Sequence, residues 1–76
     1  MLTAEQCRAA RGLLDWTQAE LSDAAGLSAV SLRAFEKGGL IRDSNARRLR
    51  AALEQAGVEF IAENGGGAGV RLKRTS

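Results

Sequence analysis

Residues 17–38 read TQAELSDAAGLSAVSLRAFEKG, and their spacing predicts two short amphipathic helices joined at Gly26, a helix-turn-helix. Thr17 and Glu20 have the form of a capping box, in which the hydroxyl accepts the N–H three residues on and the carboxylate returns to the cap's own N–H. Ser28 stands where a second helix needs its N-cap. Only Gly26 and Leu27 remain for the turn: Gly26 can take the positive φ that ends the first helix, and Leu27 returns an apolar side chain to the core. Leu21, Ala25, Leu32 and Phe35 supply inward contacts at helical spacing, which leaves Ala29, Val30, Arg33 and Ala34 outward on the second helix. A short helix set by a tight turn, with one face free of core duties, is suited to entering a DNA groove.

Working outward, Thr3 and Gln6 repeat the capping-box spacing and predict a first helix to about Leu14, with Cys7, Ala10 and Leu14 on the buried face. Cys7 reads as a small buried hydrophobe, since no neighbouring base supports a reactive thiol. Trp16 is expected to plug the core between the first two helices. After a loop from Gly38 to Arg42, Asp43 or Ser44 is expected to cap a fourth helix ending near Ala56, with Leu49, Ala52 and Leu53 inward and Gly57 just beyond its end. The period then changes to two: Val58, Phe60 and Ala62 alternate with Glu59, Ile61 and Glu63, and Val70 and Leu72 with Arg71 and Lys73, which predicts a β-hairpin. The intervening NGGGAG, residues 64–69, is read as its turn, because a phosphate-binding loop needs Gly-Lys-Ser/Thr opening a helix. The fold expected is mainly α, four helices over 1–57 with a hairpin extension and tail over 58–76 in the same compact unit.

Bulk properties narrow the class of function. A chain of 76 residues with 45% apolar content supports one core. The amino end lacks the pattern of a signal peptide and no apolar run has membrane-spanning length, so a cytoplasmic protein without membrane contact is expected. One cysteine and no histidine leave no intramolecular disulfide and none of the common zinc sets, so no metal and no cofactor is expected. Without histidine or suitably paired carboxylates, an enzyme lacks its acid, base and nucleophile. Charge is uneven: residues 1–36 hold three basic and five acidic side chains, residues 37–76 eight and four. Lys37, Arg42, Arg47, Arg48 and Arg50 crowd just after the second short helix, which suits a phosphate backbone; a solvated helix face is the plainer alternative.

The run TQAELSDAAGLS followed by LRAFEKG resembles the bacterial and phage repressor family of the Cro and C1 type, the XRE family, in which a glutamine opens the second helix and a glutamate-basic-glycine triplet closes the third. The resemblance covers Glu5 to about Gln55, and VEFIAENGGGAGVRL is similar to a short extension on some small members. It implies a lambda-repressor-like domain that binds double-stranded DNA as a transcriptional regulator. Carried over position by position, it implies phosphate contacts from Gln18 and Ser28, and base reading from Ala29, Val30, Arg33 and Ala34 with Ser31 nearby. Thr17, Lys37 and Arg42 complete the expected DNA-facing set. The chain departs from well-known members in having small apolar residues where amides are common; these can touch a thymine methyl but make no bidentate bond, leaving Arg33 to grip guanine. Arg11 and Glu36 match a partly buried ion pair of the family.

Such proteins usually dimerise on a palindromic operator. Val58, Phe60, Ile61, Val70 and Leu72 are the candidates for the join, because a lone hairpin is marginal and has an edge to cover; folding of the hairpin over its own helices is the competing expectation. A repressor homodimer is the leading reading. An antitoxin or accessory protein, whose hairpin engages a protein partner, and a helix-turn-helix adaptor that binds protein remain alternatives.

Overall fold

The computed structural model describes residues 2–63 and 65–73; Asn64, at the head of the expected turn, and the last three residues of the expected extension lie outside them. The elements are α1 (Ala4–Leu14), α2 (Gln18–Ala25), α3 (Ala29–Glu36), α4 (Asp43–Gln55), β1 (Val58–Ile61) and β2 (Gly69–Leu72). This is the mainly helical architecture with a C-terminal hairpin that the periodicity predicts.

The first three helices begin where side chains cap them. Thr3 Oγ1 accepts from the Gln6 N–H at 3.0 Å while Gln6 Oε1 accepts from the Thr3 N–H at 3.0 Å. The Thr17 and Glu20 pair does the same at 3.1 and 2.9 Å, and Ser28 Oγ accepts from the Ser31 N–H at 3.1 Å. Each such cap is worth about 1 kcal/mol. The fourth start differs from expectation. Arg42, not Asp43 or Ser44, is the N-cap, and it makes no side-chain cap bond. Asp43 lies inside the first turn, where its charge faces the positive end of the helix dipole, so packing rather than a cap decides where α4 starts.

Three helices end alike. The N–H groups of Trp16, Leu27 and Gly39 reach back five residues to the carbonyls of Arg11, Ser22 and Ala34 at 2.9, 2.8 and 2.9 Å. The reversal runs through left-handed residues, Asp15 (φ 57°), Gly26 (φ 72°) and Gly38 (φ 99°), as helix ends of this type require. Asp15 in that role has no glycine to announce it.

Leu21, Leu32, Leu49, Leu53, Val58 and Cys7 are the largest fully buried side chains. Burying a leucine contributes about 1.5–3 kcal/mol. α2 rests against α3 and α4, and the hairpin lies across α1 and α4. β1 and β2 are antiparallel, with Val58 opposite Leu72 and Phe60 opposite Val70. Gln6 fastens the hairpin: its Nε2 donates to the Gly69 carbonyl at 3.1 Å, so one side chain caps α1 and holds β2.

Val58 is wholly buried in the core, and Phe60 and Val70 pack against it. These three of the five residues expected at a subunit join are thus used by the protein's own helices, because the inward strand face has α1 and α4 to cover. Ile61 is half-buried and Leu72 exposed.

Candidate nucleic-acid interface

The face in question is built by α3 and its two flanks. α3 is held from behind by Leu32 and Phe35, both buried. In front stand Val30, Ser31, Arg33 and Ala34, all exposed, followed by Lys37 at the helix end. Ala29, expected to face outward with them, is half-buried; as the first residue of α3 it sits against the turn from α2. Val30, Ser31 and Ala34 share an open cleft with Leu40, Ile41, Arg42 and Asn45 of the following loop and helix.

The loop gets its shape from Gly38 and Gly39. Gly38 takes the left-handed conformation that reverses the chain. At Gly39 the constraint is space: a Cβ there would lie 2.7 Å from the Ala34 carbonyl oxygen, the same oxygen that accepts its N–H. The glycine pair therefore folds the chain back along α3 and sets Leu40 beside Val30 and Ala34.

Behind α3, Glu36 anchors the helix to the rest of the domain. Its side chain is 3% exposed yet fully partnered. Oε1 accepts from Arg11 Nη2 at 2.8 Å and Gln18 Nε2 at 2.9 Å; Oε2 accepts from Arg11 Nε at 2.8 Å and Cys7 Sγ at 3.2 Å. Arg11 also donates from Nη1 to the Trp16 carbonyl at 3.0 Å, and Arg8 donates to the Glu36 carbonyl. Burial pushes the Glu36 carboxyl up, but the hydrogen bonds from Arg11, Gln18 and Cys7 outweigh it and hold the group below the usual carboxylate range. The same carboxylate raises the Arg11 guanidinium further. Cys7 is pushed up to about 12, first by burial and then by its bond to Glu36, which leaves a protonated donor rather than a nucleophile.

Gln18 is therefore half occupied. One of its amide hydrogens serves Glu36, and among the described residues the other hydrogen and Oε1 have no partner. Its place at the N-terminus of α2, beside Thr17, keeps the phosphate contact implied by the resemblance within reach, with the free backbone N–H groups of that helix end. The Thr17 and Ser28 hydroxyls already cap their own helices, and the Ser28 O–H also donates to Ser31 Oγ at 2.9 Å, so Thr17 can offer a phosphate its O–H while Ser28 must first give up its bond to Ser31.

The basic run divides. Arg33, Lys37 and Arg42 are exposed and make no ion pair among the described residues, whereas Arg50 pairs with Glu54 at 3.2 Å and stacks over Phe60 at 4.9 Å from the ring centroid. Arg50 braces the hairpin rather than extending the basic face. Glu59 and Arg71 pair across the outer face of the hairpin at 3.0 Å, each stabilising the charged form of the other.

Sequence reading missed Arg8, the Gln18 and Cys7 bonds to Glu36, and Leu40. Arg8 lies one turn from Arg11 on α1, a spacing that could have suggested a shared partner. Leu40 had no local signal, since an apolar loop residue is ordinarily taken as turned inward.

The helix-turn-helix family model matches residues 8–60. The chain belongs to that family, of the XRE, Cro/C1 type. Its members are DNA-binding regulators. No curated protein shows significant similarity to the chain. The match spans all of α2, α3 and α4, most of α1, and β1 as far as Phe60. Among the described residues no helix is long and apolar enough to cross a membrane.

Proposed function

We propose that this helix-turn-helix protein is a sequence-specific regulator that binds double-stranded DNA as a homodimer in the cytoplasm and represses transcription by occupying its operator, with no catalytic activity of its own. One observation carries the reading. From Ser28 to Arg42 the only acid is Glu36, and it is buried against Arg11, so α3 and the loop after it present the exposed Arg33, Lys37 and Arg42 with Asp43 as the nearest exposed acid in the chain, held at the N-terminal turn of α4. Such a face attracts the phosphate backbone, and the outward side of α3 is free to meet base edges. Arg33 is the side chain able to make the bidentate bond to guanine. Lys37 and Arg42, at the end of α3 and the start of α4, serve as phosphate contacts in this reading, which their exposure supports. A single reading helix covers few base pairs, which favours two copies on half-sites about 34 Å apart or a multiple of that; Leu72 and Ile61, with the strand edges, are what the hairpin has left for such a join.

Fluorescence anisotropy against the DNA upstream of the protein's own gene and a shuffled duplex, at two salt concentrations, tests the proposal. Tight, salt-sensitive binding to the native fragment is expected. Arg33→Ala should relax sequence preference, while Lys37→Ala should weaken all duplexes alike and reduce the salt slope by about one; equal behaviour of the two variants contradicts the assigned roles. A second reading, a protein-binding adaptor, is favoured by the exposed Val30, Ala34 and Leu40. Binding that ignores salt would support it.

A further inference from the structure

Val30 is 72% exposed and Leu40 fully so, and with Ala34 they border one cleft between α3 and the loop that follows it. An exposed leucine alone means little. Here the backbone has been bent to place it: Gly38 adopts a left-handed φ and Gly39 packs too tightly on Ala34 for any side chain. The strip also lies on the surface that carries the exposed Arg33, Lys37 and Arg42, where the buried Glu36 is the only acid from Ser28 to Arg42. That charge is complementary to DNA and unneeded for an apolar protein segment.

Resting on the DNA-binding reading, we propose that this cleft takes the C5-methyl group of a thymine in the major groove, with Val30 and Leu40 as its two walls, Ala34 between them and Arg42 beside it for the adjoining phosphate. The methyl is the one apolar group that the major-groove edge of a base pair displays. Leu40 is then a specificity-determining residue outside the reading helix itself. Readout by contact with a methyl also accounts for the small apolar residues of α3, which leave room for the base edge to approach.

The test begins with selection of preferred duplexes from a random pool by the wild-type protein, which is followed by replacement of each thymine in the selected half-site with uracil, one at a time. Uracil lacks the methyl and keeps every hydrogen-bonding group. At one or two positions the wild type should lose about fourfold in affinity, what removing one methyl-sized group from water is worth. Leu40→Ser should bind the thymine duplex about fourfold more weakly and lose nothing further on uracil; because the side chain touches solvent on all sides, its melting temperature should match the wild type's. Enrichment of a defined sequence with no uracil effect, or an uracil effect that Leu40→Ser retains in full, would overturn the methyl cleft and leave the DNA reading standing. Enrichment of no sequence would remove both.

Discussion

Glu36→Ala should strongly destabilise the fold rather than merely weaken its ligand binding. The carboxylate is the common acceptor for two bonds from Arg11 and one each from Gln18 and Cys7, so its loss strands a guanidinium, an amide and a thiol together. Breaking a fully buried ion pair from one side costs about 3–5 kcal/mol. The Arg11 side chain keeps 20% exposure and can recover some hydration, which puts the expected cost near the lower end, about 3 kcal/mol. Total stability for a chain of this size is about 4–11 kcal/mol, so the variant retains only a fraction of it. At roughly 4–8 °C per kcal/mol, the melting temperature read by circular dichroism at pH 7 should fall by roughly 12–24 °C. The pH dependence has a definite sign. The folded state holds Glu36 below its unfolded pKa, so its contribution is complete above the ordinary carboxylate range, near pH 4.3, and is lost as pH falls through the lower folded value. In Arg11→Met the main counterweight to burial is gone, and the gap to wild type should narrow between pH 7 and pH 4. A Glu36→Ala protein melting within about 3 °C of wild type at pH 7 would refute the view that this carboxylate fastens α3 to α1 and α2.

Gly39→Ala drives a Cβ to 2.7 Å from a backbone oxygen and should lower the urea midpoint by an amount equivalent to about 1–3 kcal/mol, whereas Gly12→Ala, exposed inside α1 with nothing within 4 Å, should raise stability by about 0.5–1 kcal/mol; the same sign for both would contradict the packing described at the α3 end. Truncation after Gly57 removes Val58 from the core along with Phe60 and Val70, and should abolish cooperative melting; a cooperative transition near that of the full chain would show that the hairpin is dispensable to the fold. Cys7 is wholly buried and its pKa is pushed up to about 12, so a thiol reagent at pH 8 should react only at the rate of unfolding and accelerate in denaturant, and a fast reaction with the folded protein would show that the thiol is open to solvent.

Helix starts were legible because capping is local chemistry. Thr3 with Gln6, Thr17 with Glu20, and Ser28 each close a bond over three residues, so spacing alone predicts them. Where no side chain caps, as at Arg42, the start of α4 was misplaced by a residue or two. The end of α1 at Asp15 was approximated from periodicity but not its left-handed turn, since an aspartate gives less warning than Gly26. The site divides in the same way. Amphipathic spacing assigned Val30, Arg33 and Ala34 to the outer face of α3, while Ala29, at the turn, is partly covered. The meeting of Arg11 with Glu36 came from family resemblance, not from spacing.

What the sequence determined by itself is what short-range forces decide: four helices and a hairpin, the caps of the first three helices, the glycine turn between α2 and α3, and a basic run from Lys37 to Arg50 after it. Tertiary structure alone decided the rest. The partners of Glu36 lie 18 to 29 residues away, so nothing but packing brings Gln18, Arg11 and Cys7 to one carboxylate. The alternation of the hairpin left both strand faces apolar, and only contact with α1 and α4 turned Val58, Phe60 and Val70 inward. Leu40 stands in solvent for a like reason, because the close packing of Gly39 on the Ala34 carbonyl, a constraint of three-dimensional space, directs the chain outward where local hydropathy would have turned it in.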